Sequence, residues 1–289
     1  MQLNTNIKQL DSREYKLILA HTKFLGTNKD KDLVTTVFED CIDKLDLTFN
    51  KSTKEPKIKT VWYLDTDKHD LHDRNDFVIR VKESKKDNDK VECDVTFKVR
   101  TFDKNKTSQY DLYEIKDKGN YKIEEQKFEE DIISQLGSKF SISTEFEFKE
   151  KEYREKFEGA TCADVLAIFP NLKLDVLGFN LLSEVNGIRV KETKYKLGEL
   201  LSGTTKKAEV EFCTWSLLDD SPRPIIGEFD IDVNAKDLIP NDNDKVNPFS
   251  DPVIEKIDSL YAKIQEHDII DKHGTTKTQF IYNYNNLKK

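Results

Sequence analysis

Five segments of this chain place charged side chains at every second position, and the two signs are unevenly distributed along it. In Phe77 to Lys82, Arg80 and Lys82 alternate with Phe77, Ile79 and Val81. From Val91 to Arg100, the residues Glu92, Asp94, Thr96, Lys98 and Arg100 alternate with Val91, Cys93, Val95, Phe97 and Val99. Arg189 and Lys191 likewise alternate with Ile188 and Val190, Glu209 and Glu211 with Ala208, Val210 and Phe212, and Glu228, Asp230 and Asp232 with Phe229, Ile231 and Val233. Residues two apart in a strand share a face, so each segment reads as a strand with one apolar and one ionic side. Arg80, Lys98 and Arg100 come early and the carboxylates late. Cations of this kind bind phosphate oxygens, and carboxylates hold a hard divalent cation. One arrangement is an antiparallel sheet with its ionic face in water. The other is a barrel with the charges inside, costly to desolvate unless cations, carboxylates and a bound ion or polyanion compensate one another.

Composition narrows the setting. The 289 residues carry 47 Lys plus Arg against 55 Asp plus Glu, a formal charge of -8, which disfavours a nucleic acid polymer as partner. Mean hydropathy is -0.70, yet 36% of residues are apolar, with 17 Phe and 10 Tyr, enough for a core. No run approaches the roughly 18 apolar residues of a membrane span, and the polar start lacks a signal-peptide stretch. Cys41, Cys93, Cys162 and Cys213 are too scattered for a metal or redox pair. A reducing, cytoplasmic location and no membrane partner are expected.

The elements that must position the charges follow from periodicity. A strand is expected at Glu14 to Leu19, then a helix from about Lys31 to Leu45 capped by Asp30 or Asp32, and a loop from Asn50 to Lys57. A meander of Val61 to Asp65, Phe77 to Lys82 and Val91 to Phe102 follows, with a turn in SKKDNDK. Further strands are expected at Ser108 to Lys116, Tyr121 to Asp131, Ser143 to Lys149, Asn186 to Tyr195, Lys207 to Ser216 and Gly227 to Val233. Helices are expected at Thr161 to Phe169 and Pro252 to Ile264, and Asn241 to Lys245 as a loop. The histidines show no metal spacing, and Trp62 and Trp215 are expected to pack rather than stack on bases. With no linker and no repeat, a single α+β domain over 1–289 is expected, its core at about 11–234 and a C-terminal helix and tail at about 250–289.

These residues, taken in order, resemble the CYTH superfamily of triphosphate tunnel metalloenzymes. Tyr63, Asp65 and Thr66 match its Tyr-x-Asp-Thr, followed by Leu71 and the strand ending in Arg80. Thr96 and Lys98 match Thr-x-Lys, with Arg100 two residues on. Lys127, Glu129 and Asp131 resemble the basic-x-Glu-x-acidic strand, Arg189 the later phosphate-contacting strand, and Glu228, Asp230 and Asp232 the closing acidic strand. Two positions depart: Ser12 stands for the first glutamate of Glu-x-Glu-x-Lys, which keeps Glu14 and Lys16, and Val78 for the first arginine of Arg-x-Arg.

The resemblance implies a closed or nearly closed antiparallel eight-stranded β-barrel with flanking helices, Mg²⁺ or Mn²⁺, and a triphosphate substrate. On it, Lys16 and Glu14 are expected in catalysis, and Arg80, Lys98, Arg100, Lys127, Arg189 and Lys191 on phosphate. Glu14, Glu129, Glu209, Glu211, Glu228, Asp230 and Asp232 are expected around the metal. Restoring the absent carboxylate with Ser12→Glu is expected to tighten metal binding. The expected activity is metal-dependent hydrolysis of inorganic triphosphate or a triphosphate-bearing small molecule. The alternatives are a non-catalytic polyphosphate or nucleotide binder and an adenylate cyclase-type nucleotide cyclase. The oligomeric state is left open.

Overall fold

The computed structural model describes residues 8–287 except 44, 87–89, 117–118, 120, 219–222 and 239–246. The expected loop at Asn241 to Lys245 and the centre of the SKKDNDK turn lie outside the described residues.

The alternating segments do form strands, except that the strand expected from Asn186 begins only at Val190, since Val185–Gly187 form a 3-10 turn. The strands are β1 (Ser12–Leu19), β2 (Thr48–Lys51), β3 (Lys57–Asp65), β4 (Phe77–Lys85), β5 (Val91–Thr101), β6 (Lys122–Ile133), β7 (Gly137–Lys149), β8 (Ser183–Glu184), β9 (Val190–Ser202), β10 (Thr205–Leu217) and β11 (Ile226–Asn234). Among the described residues they join in one 11-stranded sheet, in the order β2-β9-β10-β11-β1-β6-β7-β5-β4-β3-β8. An additional β3–β9 pairing, with Lys59 opposite Glu192, closes the strands from β9 round to β3 into a ring. The expectation of eight antiparallel strands is corrected on both counts: the ring has nine, with β2 and β8 as side branches, and β1 pairs parallel to β6. Alternation marks a strand and its faces but carries no information about its neighbour, so the parallel pairing had no signal.

Helices cover the outer face of the ring and one of its ends. They are α1 (Asn28–Ile42), α2 (Asp70–Asn75), α3 (Lys104–Ser108), α4 (Glu150–Phe157), α5 (Cys162–Ile168), α6 (Pro252–Gln265) and α7 (Lys277–Leu287). One apolar cluster buries Tyr15, Leu17, Phe212, Phe229 and Ile231 against Val34 and Phe38 of α1 and Ile257 and Leu260 of α6. A second buries Phe97, Val99, Phe128 and Phe146 against Phe157 of α4 and Val165 of α5. Full burial of each such side chain stabilises by roughly 1.5–3 kcal/mol. The apolar faces therefore point outward into helices, and the ionic faces are turned inward.

Three local expectations are corrected. Thr27 precedes α1 and its N–H donates to the Asp30 carboxylate at 3.2 Å, so Asp30 closes the cap from inside the helix and Asp32 takes no part in the cap. The expected strand Ser108 to Lys116 is absent. The Asp103 carboxylate accepts the Asn105 and Lys106 N–H groups at 2.8 and 3.1 Å, starting α3, and Asp111 accepts those of Tyr113 and Glu114, turning the chain again. The segment Asn50 to Lys57 is not all loop, since β2 runs to Lys51. Beyond the expected elements, the tail forms α7, whose Ile281, Tyr282 and Tyr284 join Ile18, Val61, Tyr63, Val190 and Trp215 in an apolar plug at one end of the ring. No described helix is long and apolar enough to cross a membrane.

Candidate functional site

The ring encloses a lumen of about 230 Å³. Its lining includes the cations Lys16, Arg80, Lys82, Lys98, Arg100, Lys127, Lys194 and Lys277, eight in all, and the carboxylates Glu14, Glu125, Glu129, Glu145, Glu192, Glu211, Glu228, Asp230 and Asp232, nine in all. A sheet with its ionic face in water is thereby set aside.

Some of these charges are tightly matched. Lys98 meets Glu129 at 2.8 Å, Arg100 meets Asp131 at 2.9 Å, and Lys16 reaches Asp131 at 2.5 Å and also pairs with Glu14. Burial opposes the charge on Glu129, but Lys98, with help from Lys16 and Lys127, outweighs it and lowers its pKa to about 2. Asp131 is also held well below the usual carboxylate range: burial opposes this, and Arg100 and Lys16 prevail. Glu192 accepts from Lys82 at 3.0 Å and from the Trp215 indole at 2.8 Å, and Glu228 from Lys277 at 2.8 Å. Both stay on the low side because these cations outweigh burial.

A second set is under-neutralised. Register places Glu14 opposite Asp232, Lys16 opposite Asp230, and Glu211 opposite Asp230, where directly opposed residues have Cβ atoms about 4.5–5.5 Å apart. Burial, reinforced by Glu211, Glu228 and Glu14, pushes the Asp230 carboxyl up to about 8 despite Lys194. Burial and Glu14 push Asp232 up to about 7, and burial raises Glu14 against the pull of Lys16. Asp232 Oδ1 is buried with no hydrogen-bond partner. Positive charge is what this corner lacks, and an all-oxygen donor set fits a hard cation such as Mg²⁺ or Mn²⁺. Among the described residues no three such side chains are drawn together tightly enough to enclose an ion.

The converse holds for Arg80. Its nearest carboxylate, Glu145, stands 3.9 Å away, its terminal nitrogen donates to the Thr96 hydroxyl at 3.3 Å, and its buried Nε has no partner. Arg100 Nε is likewise buried without a partner, but Arg100 is ion-paired to Asp131 at 2.9 Å, so Arg80 is the less engaged of the two guanidiniums.

Of the residues expected to act on phosphate, Arg80, Lys98, Arg100 and Lys127 are brought into the lumen, and Arg189 and Lys191 are not. Arg189 lies outside, 2.5 Å from Glu184 and over the Trp62 ring at 4.1 Å, and Lys191 is exposed. The cause is the apolar plug. Val190 points into it, so along β9 the usual reading of apolar residues as outward is inverted, and Glu192 and Lys194 face the lumen instead. Of the residues expected around metal, Glu14, Asp230 and Asp232 form the under-neutralised set, and Glu211, opposite Asp230, is ion-paired to Lys194. Glu129 and Glu228 are occupied by Lys98 and Lys277. Glu209 sits aside, held by Lys206 at 2.5 Å and Lys196 at 3.2 Å.

The lumen also takes in Lys82, which the sequence places on the ionic face beside Arg80 without a role, and Glu125, Glu145, Glu192, Lys194 and Lys277, which sequence reasoning missed. Lys82 was within reach, being in step with Arg80, whereas Glu192 and Lys194 share a face with Val190 and were hidden with it. Lys277 was out of reach as well, since it comes from a helix across the end of the lumen. Asp65 proves structural: its carboxylate accepts the N–H groups of Thr66, Leu71 and His72 at 2.7, 2.9 and 3.0 Å, tying α2 to β3.

No protein-family model and no curated protein matches the chain. Among solved structures it is similar to HpAC1 of Hippeastrum, a candidate adenylyl cyclase described as having a dominant triphosphatase activity. The identity is 12%, 94% of this chain and 95% of that chain are covered, and the TM-score is 0.44. A likeness of that depth carries no weight for the reaction, which has to be read from the lumen itself.

Proposed function

We propose that this protein hydrolyses inorganic triphosphate or a triphosphate-bearing small molecule inside the tunnel, with Mg²⁺ or Mn²⁺ as cofactor. The observation that carries the reading is the pairing of an under-used guanidinium, Arg80, with an under-neutralised carboxylate set, Glu14, Asp230 and Asp232, in one lumen of about 230 Å³. A polyanion supplies what Arg80 lacks, and a divalent cation supplies what the carboxylates lack.

In this reading Arg80, Lys98 and Arg100 hold the phosphate oxygens, with Lys16 and Lys127 adding positive charge. Glu14, Glu211, Asp230 and Asp232 would hold the metal, which when bound supplies charge neutralisation at the phosphates. Water attacks the terminal phosphorus, and the bond to the bridging oxygen breaks. Glu14, whose proton affinity burial raises, is placed to take the proton of that water. Lys16 is kept protonated by Asp131 and Glu14 against the effect of burial, so it stabilises the departing oxygen as a fixed charge rather than as an acid.

A phosphate-release screen over triphosphate compounds with Mg²⁺ and Mn²⁺ tests the proposal. Release that disappears on chelation and in Arg80→Ala is the expected result. A cyclic product from a nucleotide points to the cyclase reading, and tight binding without any release to the binding protein.

A further inference from the structure

Asn186 fastens the C-terminal helix to the ring through its side-chain amide. Its Nδ2 donates to the Ile281 and Tyr282 carbonyl oxygens at 2.7 and 3.1 Å, and its Oδ1 accepts from Asn285 Nδ2 at 2.8 Å. Of the two amide heavy atoms only the nitrogen donates, so two carbonyl partners fix which way the group points. The residue sits in the 3-10 turn Val185–Gly187, whose Val185 is buried in the apolar plug with Ile281, Tyr282 and Tyr284. The clasp depends on its donor being an uncharged NH2 group.

The same residue is chemically labile. Asn186 and Gly187 form the one Asn-Gly pair in the chain, and with no Cβ at 187 the next peptide nitrogen is unshielded as it approaches the Asn186 side chain. Both residues lie in the left-handed region, at φ 56 and 61, which suits Asn and Gly and few others. Gly187 is exposed and Asn186 half-buried, so water and hydroxide reach them. In deamidation the Gly187 nitrogen bonds to Asn186 Cγ, closing a succinimide ring, while the Cγ–Nδ2 bond breaks and ammonia leaves with the Gly187 proton. Water then opens the ring at either carbonyl, leaving aspartate or an isoaspartate whose main chain runs through Cγ. The balance is one amide and one water in, one carboxylic acid and one ammonia out, with no oxidant.

We infer that Asn186–Gly187 is a deamidation site whose conversion unfastens α7. In the product, carboxylate oxygens face the Ile281 and Tyr282 carbonyl oxygens, acceptor against acceptor, where the amide had donated. The helix loses its clasp and meets a negative charge instead. Because α7 begins at Lys277, whose ammonium meets Glu228 in the lumen at 2.8 Å, the change is felt at the lumen lining. In the other direction the clasp restrains the side chain that must turn onto the Gly187 nitrogen, so a seated α7 slows the reaction and a loosened one hastens it. None of this depends on what the lumen binds.

Ageing the full chain in mild alkali, with peptide mapping and isoaspartyl methyltransferase labelling, tests the site. Asn186 is expected to convert before any other asparagine, and about fivefold faster in Tyr282→Phe, which removes one hydrogen bond from the neighbouring tie to Asp65. Asn186 intact while other asparagines convert would overturn the site, and equal rates in the two proteins would overturn the restraint by α7. Asn186→Asp carries the product from the start. Hydrogen exchange of the Ile281 to Asn285 amides is expected to rise about tenfold or more in this variant and in the aged wild type. It should stay within about twofold of wild type in Asn283→Asp, the same change on the exposed side of α7. Wild-type exchange in Asn186→Asp, or the same rise in Asn283→Asp, would overturn the unfastening.

Discussion

The Tyr282 hydroxyl donates to Asp65 Oδ2 at 3.0 Å, linking the C-terminal helix to the end of β3 through a carboxylate that already accepts three backbone N–H groups. The His72 ring stacks on Tyr282 with centroids 4.0 Å apart. One buried carboxylate therefore sets both α2 and the helix that covers the lumen.

Removing that carboxylate leaves several buried donors unmet, each costing about 1–3 kcal/mol. Asp65→Ala is expected to destabilise the protein by about 3 kcal/mol or more, read from the midpoint of urea unfolding. Tyr282→Phe loses a single hydrogen bond, about 1 kcal/mol, and should leave unfolding cooperative. A wild-type midpoint for Asp65→Ala would show that the tie is unimportant.

Arg80→Ala is expected to weaken binding of inorganic triphosphate by about ten- to a hundredfold, the worth of a charge-assisted hydrogen bond at 1.4 kcal/mol per decade. Arg189→Ala is the matched control. Its guanidinium lies outside on Glu184 and Trp62, so affinity by calorimetry should stay within about twofold of wild type, as for an ordinary surface change. Equal losses in the two variants would contradict the lumen assignment.

Ser12→Glu now has an expected outcome opposite to the one the motif suggests. Ser12 is fully buried and its hydroxyl donates to Glu129 Oε1 at 3.3 Å. A carboxylate placed there meets the already buried Glu129, and the nearby cation, Lys127, is already shared between Glu125 at 3.1 Å and Glu129 at 3.8 Å, so the added charge costs about 3 kcal/mol or more. Thermal unfolding should fall sharply in the variant. Wild-type stability with tighter Mg²⁺ binding would restore the motif-based expectation.

Stability without divalent metal should fall as pH rises from about 5 to 8. Asp230 and Asp232 keep protons in the folded state to about 8 and about 7, whereas unfolded aspartates lose them near 3.9. The folded state binds more protons in that window, so raising pH disfavours it. The low-lying Glu129, Asp131 and Glu192 are ionised in both states there and add no slope. Calorimetric scans of metal-free protein should show this decline, Asp230→Asn should flatten it, and added Mg²⁺ should oppose it. A rising midpoint over the same range would contradict the arrangement.

Much of this was legible in the sequence because a ring of strands with an ionic interior writes its two faces into most of its strands. Phe97 and Val99 against Lys98 and Arg100, or Phe229 and Ile231 against Glu228 and Asp230, declare their sides without reference to any partner. The code failed at the apolar plug, where Val190 faces inward and Arg189 and Lys191 were sorted to the wrong side. It was silent for Lys277, since a helix laid across an end has no alternation to read. Glu14, Asp230 and Asp232 were readable as ionic, but their shortage of positive charge needed the register of three strands.

The parallel pairing of β1 with β6 has a consequence for how the chain assembles. Ser12 has its partner at Glu129 on one side and at Asn234 on the other. A growing chain therefore carries its first strand without a neighbour until β6 is made, and with an open edge until β11 arrives. Glu14 and Asp232 face each other across 218 intervening steps of sequence, so the ion-binding corner comes into being with the last seam of the ring. Contacts of such long range form slowly. Metal affinity should consequently appear at the end of refolding, as a signal that the seam has closed.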